Sequence, residues 1–202
     1  DLSDELRAWT SQLSSSRKML DVIEQRFLEL PQGGTAVGSG INAHKQFAKY
    51  FAQEMTKLSG SKCKCVPSEN FFHELSAQDC SVQLSGELKN LAVILMKISN
   101  DLRWMNSGPL TGLSEIELQA LQPGSSIMPG KVNPVIPEAV TMASADVIGN
   151  DVSITVAAQA GNFQLNVMLP VIAYNLLKSI NLLAGAMNIL SSKAIKTFKI
   201  NK

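Results

Sequence analysis

Residues 1–30, DLSDELRAWTSQLSSSRKMLDVIEQRFLEL, carry apolar side chains at Leu2, Leu6, Trp9, Leu13, Leu20, Ile23, Phe27 and Leu30. The steps between them alternate between four and three residues, and Ser16 fills the one gap. Such spacing lines a single face of an α-helix and reads as a heptad seam. It predicts a helix of about 30 residues, roughly 45 Å long at about 1.5 Å per residue. Pro31, Gly33 and Gly34 end the pattern, because proline and glycine do not continue a helix readily. The same spacing returns at Leu84, Leu88, Leu91, Leu95, Ile98, Leu102 and Met105, and Gly108-Pro109 stops it. Two further helices are expected, from Pro137 to Ala158 and from Pro170 to Leu190, the second opening on a proline suited to a first turn. A shorter amphipathic helix is expected over Ala43 to Leu58, capped by Asn42 and stopped by Gly60.

These elements imply an all-α fold, a long-helix bundle. The helices from Pro137 and Pro170 are apolar nearly all round and need enclosure by other helices. The remaining helices are too few to wrap them, so the expected setting is a bundle at the centre of an oligomer. The whole chain, residues 1–202, reads as one domain. Both ends look cut: Asp1 is neither a methionine nor the start of a signal peptide, and the basic stretch Lys193 to Lys202 shows no closing element. The expectation is therefore a segment of a longer polypeptide. The uncharged run Val152 to Leu177 is long enough to span a bilayer. It contains Gln159, Gly161, Asn162, Gln164, Asn166 and Pro170, which favour a buried helix pair interrupted by a turn.

Composition excludes some classes of partner. Lys and Arg number 18 against 17 Asp and Glu, a net charge of +1 that points neither to nucleic acid nor to an anionic membrane. Hydrophobic residues make up 45% and aromatics 5%, a balance that suits packed helices better than a β-sandwich. Cys63, Cys65 and Cys80 are an odd number without metal-like spacing and read as reduced intracellular thiols. No phosphate loop, dinucleotide-binding glycine pattern or ligand cluster implies a metal, nucleotide or flavin.

One stretch departs from this apolar plan: Gly124-Ser125-Ser126-Ile127-Met128-Pro129-Gly130-Lys131-Val132-Asn133, followed by Glu138. From Gln119 to Leu177 the only charged side chains are Lys131, Glu138, Asp146 and Asp151. Polar groups on a loop carried by a rigid scaffold are where catalysis tends to sit. The plain alternatives are an interhelical connection for the loop, a solvated charge for Lys131, and a helix-start role for Glu138 through the dipole. Asn100, Asp101, Asn150 and Asp151 lie in helical, apolar surroundings and are expected to bond across the bundle and not to touch substrate. His44 reads as a surface residue at a helix start and His73 as structural.

The loop meets every fixed position of G-S-S-x-M-P-x-K-x-N, the pattern of the fumarase/aspartase superfamily. The resemblance extends further. Gly33-Gly34-Thr35-Ala36-Val37-Gly38-Ser39-Gly40-Ile41-Asn42 is similar to the GGTAVGTGLN segment of class II fumarases, and Lys97 to Arg103 resembles their K-I-A-N-D-x-R. Ser107 to Ile116 resembles SGPR-x-GxxEI, with Leu110 where the family usually has Arg. Gly149-Asn150-Asp151 and Gly161 to Asn166 also match, the latter closer to the fumarase form than to the aspartase form. Val167-Met168-Leu169-Pro170 is nearer to aspartase wording.

The resemblance implies reversible anti elimination of water from malate to give fumarate, a lyase step of the tricarboxylic acid cycle. Its alternatives are an aspartate ammonia-lyase on the same fold and, in another class, an inactive structural bundle. By the family's pattern Ser125 is the proton-abstracting base, Lys131 and Asn133 bind a substrate carboxylate, and Glu138 orients an active-site histidine. Gly124, Ser126, Met128 and Pro129 shape the loop. Lys131 and Asn133, two residues apart, can face one site only from non-helical backbone, which Pro129 and Pro134 favour. The family's histidine stands in a Thr-His motif upstream of the first long helix, in another subunit, and neither His44 nor His73 occupies it. A third subunit supplies further substrate contacts, and the residues that tell hydroxyl from amino lie mostly in the N-terminal part. The implied assembly is a homotetramer with shared sites, acting on a small dicarboxylate without a cofactor. It would lie in the cytoplasm, or in the mitochondrial matrix of a eukaryote. Residues 1–202 alone are expected to be inactive.

Overall fold

The computed structural model of the chain describes residues 1–60, 64–122, 124–128 and 130–201. Among the described residues there are six α-helices: α1 (Leu2–Arg26), α2 (Phe47–Leu58), α3 (Phe71–Glu74), α4 (Asp79–Met105), α5 (Val135–Ala158) and α6 (Leu169–Leu190). A π turn over Ser191–Ile195 extends α6. Two short ladders complete the chain: β1 (Glu29–Leu30) runs parallel to β2 (Val66–Pro67), and β3 (Ile116–Glu117) antiparallel to β4 (Lys199–Ile200). The fold is all-α, as the seams require.

Each long helix buries one stripe. On α1 the stripe includes Trp9, Ser16 and Ile23, and on α4 Leu88, Leu91, Leu95, Ile98 and Leu102. On α5 it follows Val140, Ser144, Val147, Ile154 and Ala157, and on α6 Ile172, Leu176, Ser179, Leu183, Ala186 and Leu190. These steps of three and four are the heptad periodicity seen in the sequence. The rest of α5 and α6 stays open although it is apolar: Met142, Val152, Tyr174 and Leu177 are each more than 60% exposed. The chain does not wrap these helices by itself, as anticipated from their composition.

Contacts group the residues into two compact units, one of Asp1–Leu13, Leu88–Asn150 and Leu177–Lys202, the other of Ser14–Glu87 and Asp151–Leu176. In the first unit Trp9 Nε1 donates to Asp101 Oδ2 at 3.2 Å, tying α1 to α4. Lys97 pairs with the same carboxylate and with Glu5 at 3.6 Å, and lies 5.9 Å from the Trp9 ring centroid. The hydrogen bond to Asp101 holds the Lys97 ammonium above its ordinary pKa. Asn150 Nδ2 donates to Ser179 Oγ at 3.1 Å and Lys178 pairs with Asp146 at 2.8 Å, joining α5 to α6. In the second unit Ser16 donates to Glu87 at 2.5 Å and Ser85 to Asp151 at 2.7 Å. Buried polar groups cost free energy unless paired, and these seam hydroxyls supply the pairing. Asp101, Asn150 and Asp151 thus bond between helices as expected.

The Val152 to Leu177 run divides as its polar residues suggested, into the end of α5, a turn and the start of α6. Asn166, 2% exposed, holds the turn together. Its Nδ2 donates to the Ala157 and Ala158 carbonyls at 3.0 and 3.3 Å, at the end of α5. Its Oδ1 accepts from the Met168 amide at 2.8 Å, at the start of α6. One side chain therefore satisfies orphan groups of two helix ends. The 27-residue stretch Leu169–Ile195, which contains an 18-residue window of mean hydropathy 1.3, has the length and composition of a membrane span. Its Lys178 and Ser179 are nevertheless committed to α5.

Three expectations differ from the structure. First, α1 stops at Arg26, four residues short of Leu30. The chain then turns into β1, where the Leu28 and Leu30 carbonyls accept from the Val66 and Ser68 amides, both at 2.9 Å. Phe27 and Leu30 continue the heptad spacing without continuing the helix: Phe27 sits in the turn that ends it, and pairing with a distant strand takes over the backbone at Leu30. Second, α2 begins at Phe47 and not at Ala43. Asn42 adopts φ +66°, a left-handed turn conformation and not the extended backbone of a helix cap. Third, the basic stretch is ordered: it forms the end of the π turn and β4, which pairs with β3, and Asn201 Nδ2 donates to the Ser114 carbonyl at 2.8 Å.

Candidate active site

The loop between β3 and α5 lies within the first unit. Gly124 is required there by close approach. A Cβ at this position would lie 1.9 Å from the Lys131 carbonyl oxygen, so only glycine lets the two ends of the loop touch. Gly130 takes φ +82°, again a glycine conformation. The Met128 amide donates to the Ser125 carbonyl at 3.2 Å, and the Lys131 amide to the Met128 carbonyl at 3.1 Å. Pro129, expected to help shape the loop, lies outside the described residues, as does Cys63.

Ser125 is half-buried, and its Oγ accepts a hydrogen bond from the Ile127 amide at 3.2 Å. An N–H aimed at a hydroxyl oxygen stabilises negative charge there, which is what a serine acting as a base requires. Ser126 and Met128 are exposed, and Ile127 is 86% exposed. Residues 131–134 have no regular secondary structure, and α5 begins at Val135, whose amide donates to the Asn133 carbonyl at 2.8 Å. Glu138 occupies the first turn of α5, where the helix dipole favours a carboxylate.

A cavity of about 1070 Å³ opens beside this loop, and Met128, Gly130, Lys131, Asn133 and Glu138 line it. The non-helical backbone at 131–134 turns both Lys131 and Asn133 to the same space, as their spacing demanded. Ser125 is not among the lining residues. The C-terminal part of α4 and the segment that follows it also line the cavity, including Asn100, Arg103 and Asn106. That segment is internally braced. Asn106 Oδ1 accepts from the Leu118 amide at 2.8 Å, and Ser107 Oγ from the Leu113 amide at 3.0 Å. Ser114, at φ +50°, is held by Asn201 through its carbonyl at 2.8 Å and its hydroxyl at 3.3 Å. Leu110 is 93% exposed beside the cavity-lining Pro109.

Asn100 contradicts its sequence reading: it lines the cavity and bonds within its own helix, accepting from Arg103 Nη1 at 3.1 Å. Arg103 and Asn201 had not been singled out as site residues. Asn100 and Arg103 stand off the Ile98–Leu102–Met105 seam at the end of α4, a signal that was available. Asn201 gave none, because its position depends on the β3–β4 pairing.

Both histidines belong to the second unit. His73 lies 2.9 Å from Asp79 and 3.0 Å from Glu74 at the junction of α3 and α4. The hydrogen bond to Asp79 raises its pKa above the usual value, against a smaller opposing effect of burial. His44 precedes α2 and is exposed, with Nδ1 accepting from the Gln46 amide at 3.2 Å. Cys65 and Cys80 are free thiols, and burial pushes the Cys80 pKa up, which keeps it protonated. Among the described residues no group of His, Cys, Asp or Glu side chains could hold a metal ion.

The profile of a family described as lyase matches residues 1–149. The class II fumarate hydratase 2 of Pseudomonas aeruginosa is 56% identical over 201 residues, covering 100% of this chain and 43% of that protein. Among solved structures, the recombinant class II fumarase of Schistosoma mansoni superposes with a TM-score of 0.93 at 36% identity, covering 98% of this chain and 44% of that one. The Brucella melitensis protein described as fumarate lyase:delta crystallin, bound to cobalt, gives 0.94 at 42% identity, with 99% and 43% covered. The chain thus spans under half the length of the relatives it matches.

Proposed function

This chain belongs to the lyase family, and we propose from that premise that it contributes the central helices and one wall of the active site of a fumarate hydratase. The reaction is the reversible anti elimination of water from malate. A C–H bond at C3 and the C–O bond at C2 break: the C3 proton passes to the Ser125 Oγ alkoxide, the C–H electron pair becomes the C2–C3 double bond of fumarate, and the hydroxyl leaves as water with a proton from the site. The carbanion formed next to a carboxylate carries its charge on that carboxylate, so cationic and amide donors there lower the barrier. Lys131 and Asn133 fill this role, and Glu138 orients the histidine that another subunit brings.

The observation that carries the reading is the shared cavity of Lys131, Asn133 and Glu138 beside a Ser125 whose oxygen receives a backbone N–H. The open apolar faces of α5 and α6 support burial between subunits, in a homotetramer with sites shared by three chains. Ser125 stands off the cavity wall in the single chain, which agrees with a site completed by other subunits. Residues 1–202 alone are accordingly inactive. The reading carries with it a cytoplasmic location, or the mitochondrial matrix in a eukaryote, and the bacterial relative supports the first.

Offered malate and aspartate separately, the full-length protein is expected to release fumarate, followed by its ultraviolet absorbance, from malate only. Release from aspartate and not from malate would transfer the reading to an ammonia-lyase. Release from neither, in a folded tetramer, would leave a structural bundle.

A further inference from the structure

His73 stands between two carboxylates of the second unit. Its Nε2 lies 2.9 Å from Asp79 Oδ2, in the first turn of α4, and its Nδ1 lies 3.0 Å from Glu74 Oε1, at the end of α3. A neutral imidazole carries one N–H and one lone pair, whereas an imidazolium carries two N–H donors. With a carboxylate oxygen beside each nitrogen, only the imidazolium serves both. The neutral ring turns a lone pair on one of them. Arg26, at the end of α1, opposes the charge of the ring, and its Nη1 is engaged by Gln83 Oε1 at 2.5 Å. Cys80, next to Asp79, adds no charge, since burial keeps its thiol protonated.

Two other segments lean on α3 and the residues just after it. The first is the glycine-rich stretch 33–42. A Cβ on Gly34 would come within 2.8 Å of Phe71 Cβ, and one on Gly38 within 2.8 Å of the Phe72 amide nitrogen, so the stretch rests directly on α3. There the Gly38 and Gly40 amides donate to the Gly34 carbonyl at 3.0 and 2.9 Å. The second is the turn between α5 and α6, where the Phe163 carbonyl accepts from Ser76 Oγ. A helix of four residues capped by Asn70 has little stability of its own. Its attachment to α4 through His73 therefore matters to what rests on it.

We propose that His73 is a pH-sensitive latch: protonated, it clamps α3 to the first turn of α4 and steadies the 33–42 stretch, and on losing its proton it releases both. The hydrogen bond to Asp79, with the Glu74 charge assisting, raises the His73 pKa above its ordinary value, against burial and Arg26. The clamp is then fully present below the unfolded-chain histidine pKa of about 6.5. It is lost as pH rises through the higher value of the folded chain.

The test is deuterium exchange of the full-length protein, read by mass spectrometry across the histidine titration range and corrected for intrinsic exchange rates. Exchange at the His73 Cε1–H gives the ring's pKa, and amide exchange of the peptide holding Gly38 and Gly40 gives the state of the stretch. In the wild type, protection of that peptide is expected to fall roughly two- to fivefold as His73 loses its proton, the scale of a partly exposed ion pair. Peptides from the middle of α4 should not change. His73→Gln keeps a donor without the charge, so its protection should stay at the wild type's high-pH level throughout. Asp79→Asn should move the ring titration and the amide transition together to lower pH, and carries the test alone if the glutamine variant does not fold. A pH-independent stretch in the wild type overturns the inference. So does a transition that persists in folded His73→Gln, or one spread evenly over the whole chain.

Discussion

Replacing Ser125 by alanine in the full-length protein is expected to slow malate dehydration by roughly 10²–10⁴-fold, the range typical of a lost acid–base group. The change removes one oxygen from a half-buried side chain and creates no void in a packed core. The hydrogen bond it deletes is the one from the Ile127 amide to Ser125 Oγ, 3.2 Å long, and Ile127 is otherwise 86% exposed, so water can replace the lost acceptor. Thermal stability and the oligomeric state should therefore be unchanged. KM should move little, because Lys131 and Asn133, the proposed ligands of the substrate carboxylate, are untouched. Turnover within a factor of a few of the wild type would remove Ser125 from the role of base.

The largest effect on stability is expected at Asn166. Alanine there leaves the Ala158 carbonyl and the Met168 amide without their partner, at a position 2% exposed, while the Ala157 carbonyl keeps the Ala160 amide at 3.3 Å. Each buried group left unsatisfied costs about 1–3 kcal/mol, partly relieved by water at the turn, so the total is about 2–4 kcal/mol. Aspartate would do little better. It keeps the acceptor for Met168 and turns a negative charge on two helix carbonyls. The urea midpoint of the full-length protein should fall accordingly, and amide exchange should quicken at Met168. A loss below about 0.5 kcal/mol would mean that the turn is held by something other than this side chain.

The long helices were legible because their stability comes from a repeating apolar stripe, and such a stripe is a local property of sequence. Trp9, Ser16 and Ile23 on α1 and Leu88 to Leu102 on α4 lie buried where the spacing put them. What was not legible depends on residues far apart in the chain. The early end of α1 reflects pairing of Glu29 and Leu30 with Val66 and Pro67, and the order of the basic stretch reflects pairing of Lys199 and Ile200 with Ile116 and Glu117. Neither two-residue ladder leaves a periodicity to detect.

The site divides along the same line. Lys131, Asn133 and Glu138 stand out in the sequence because they share one short loop and the helix it feeds, and all three line a single cavity. Asn100 was misjudged. A polar residue in an apolar helix was read as a bundle contact, which holds for Asp101 one position on and fails for Asn100, because the two point to different sides of α4. Arg103 and Asn201 belong to the same cavity through the end of α4 and the returning tail, placements that only the folded chain reveals.

The claim at the centre of this account is that the cavity beside the Gly124–Asn133 loop binds the dicarboxylate. The most direct measurement is a crystal structure of full-length Ser125→Ala soaked with L-malate, in which substrate binds and does not react. One malate carboxylate is predicted within hydrogen-bond distance, about 3 Å, of Lys131 Nζ and Asn133 Nδ2, with C3 facing residue 125. Malate bound away from this loop, with Lys131 and Asn133 still in solvent, would contradict it.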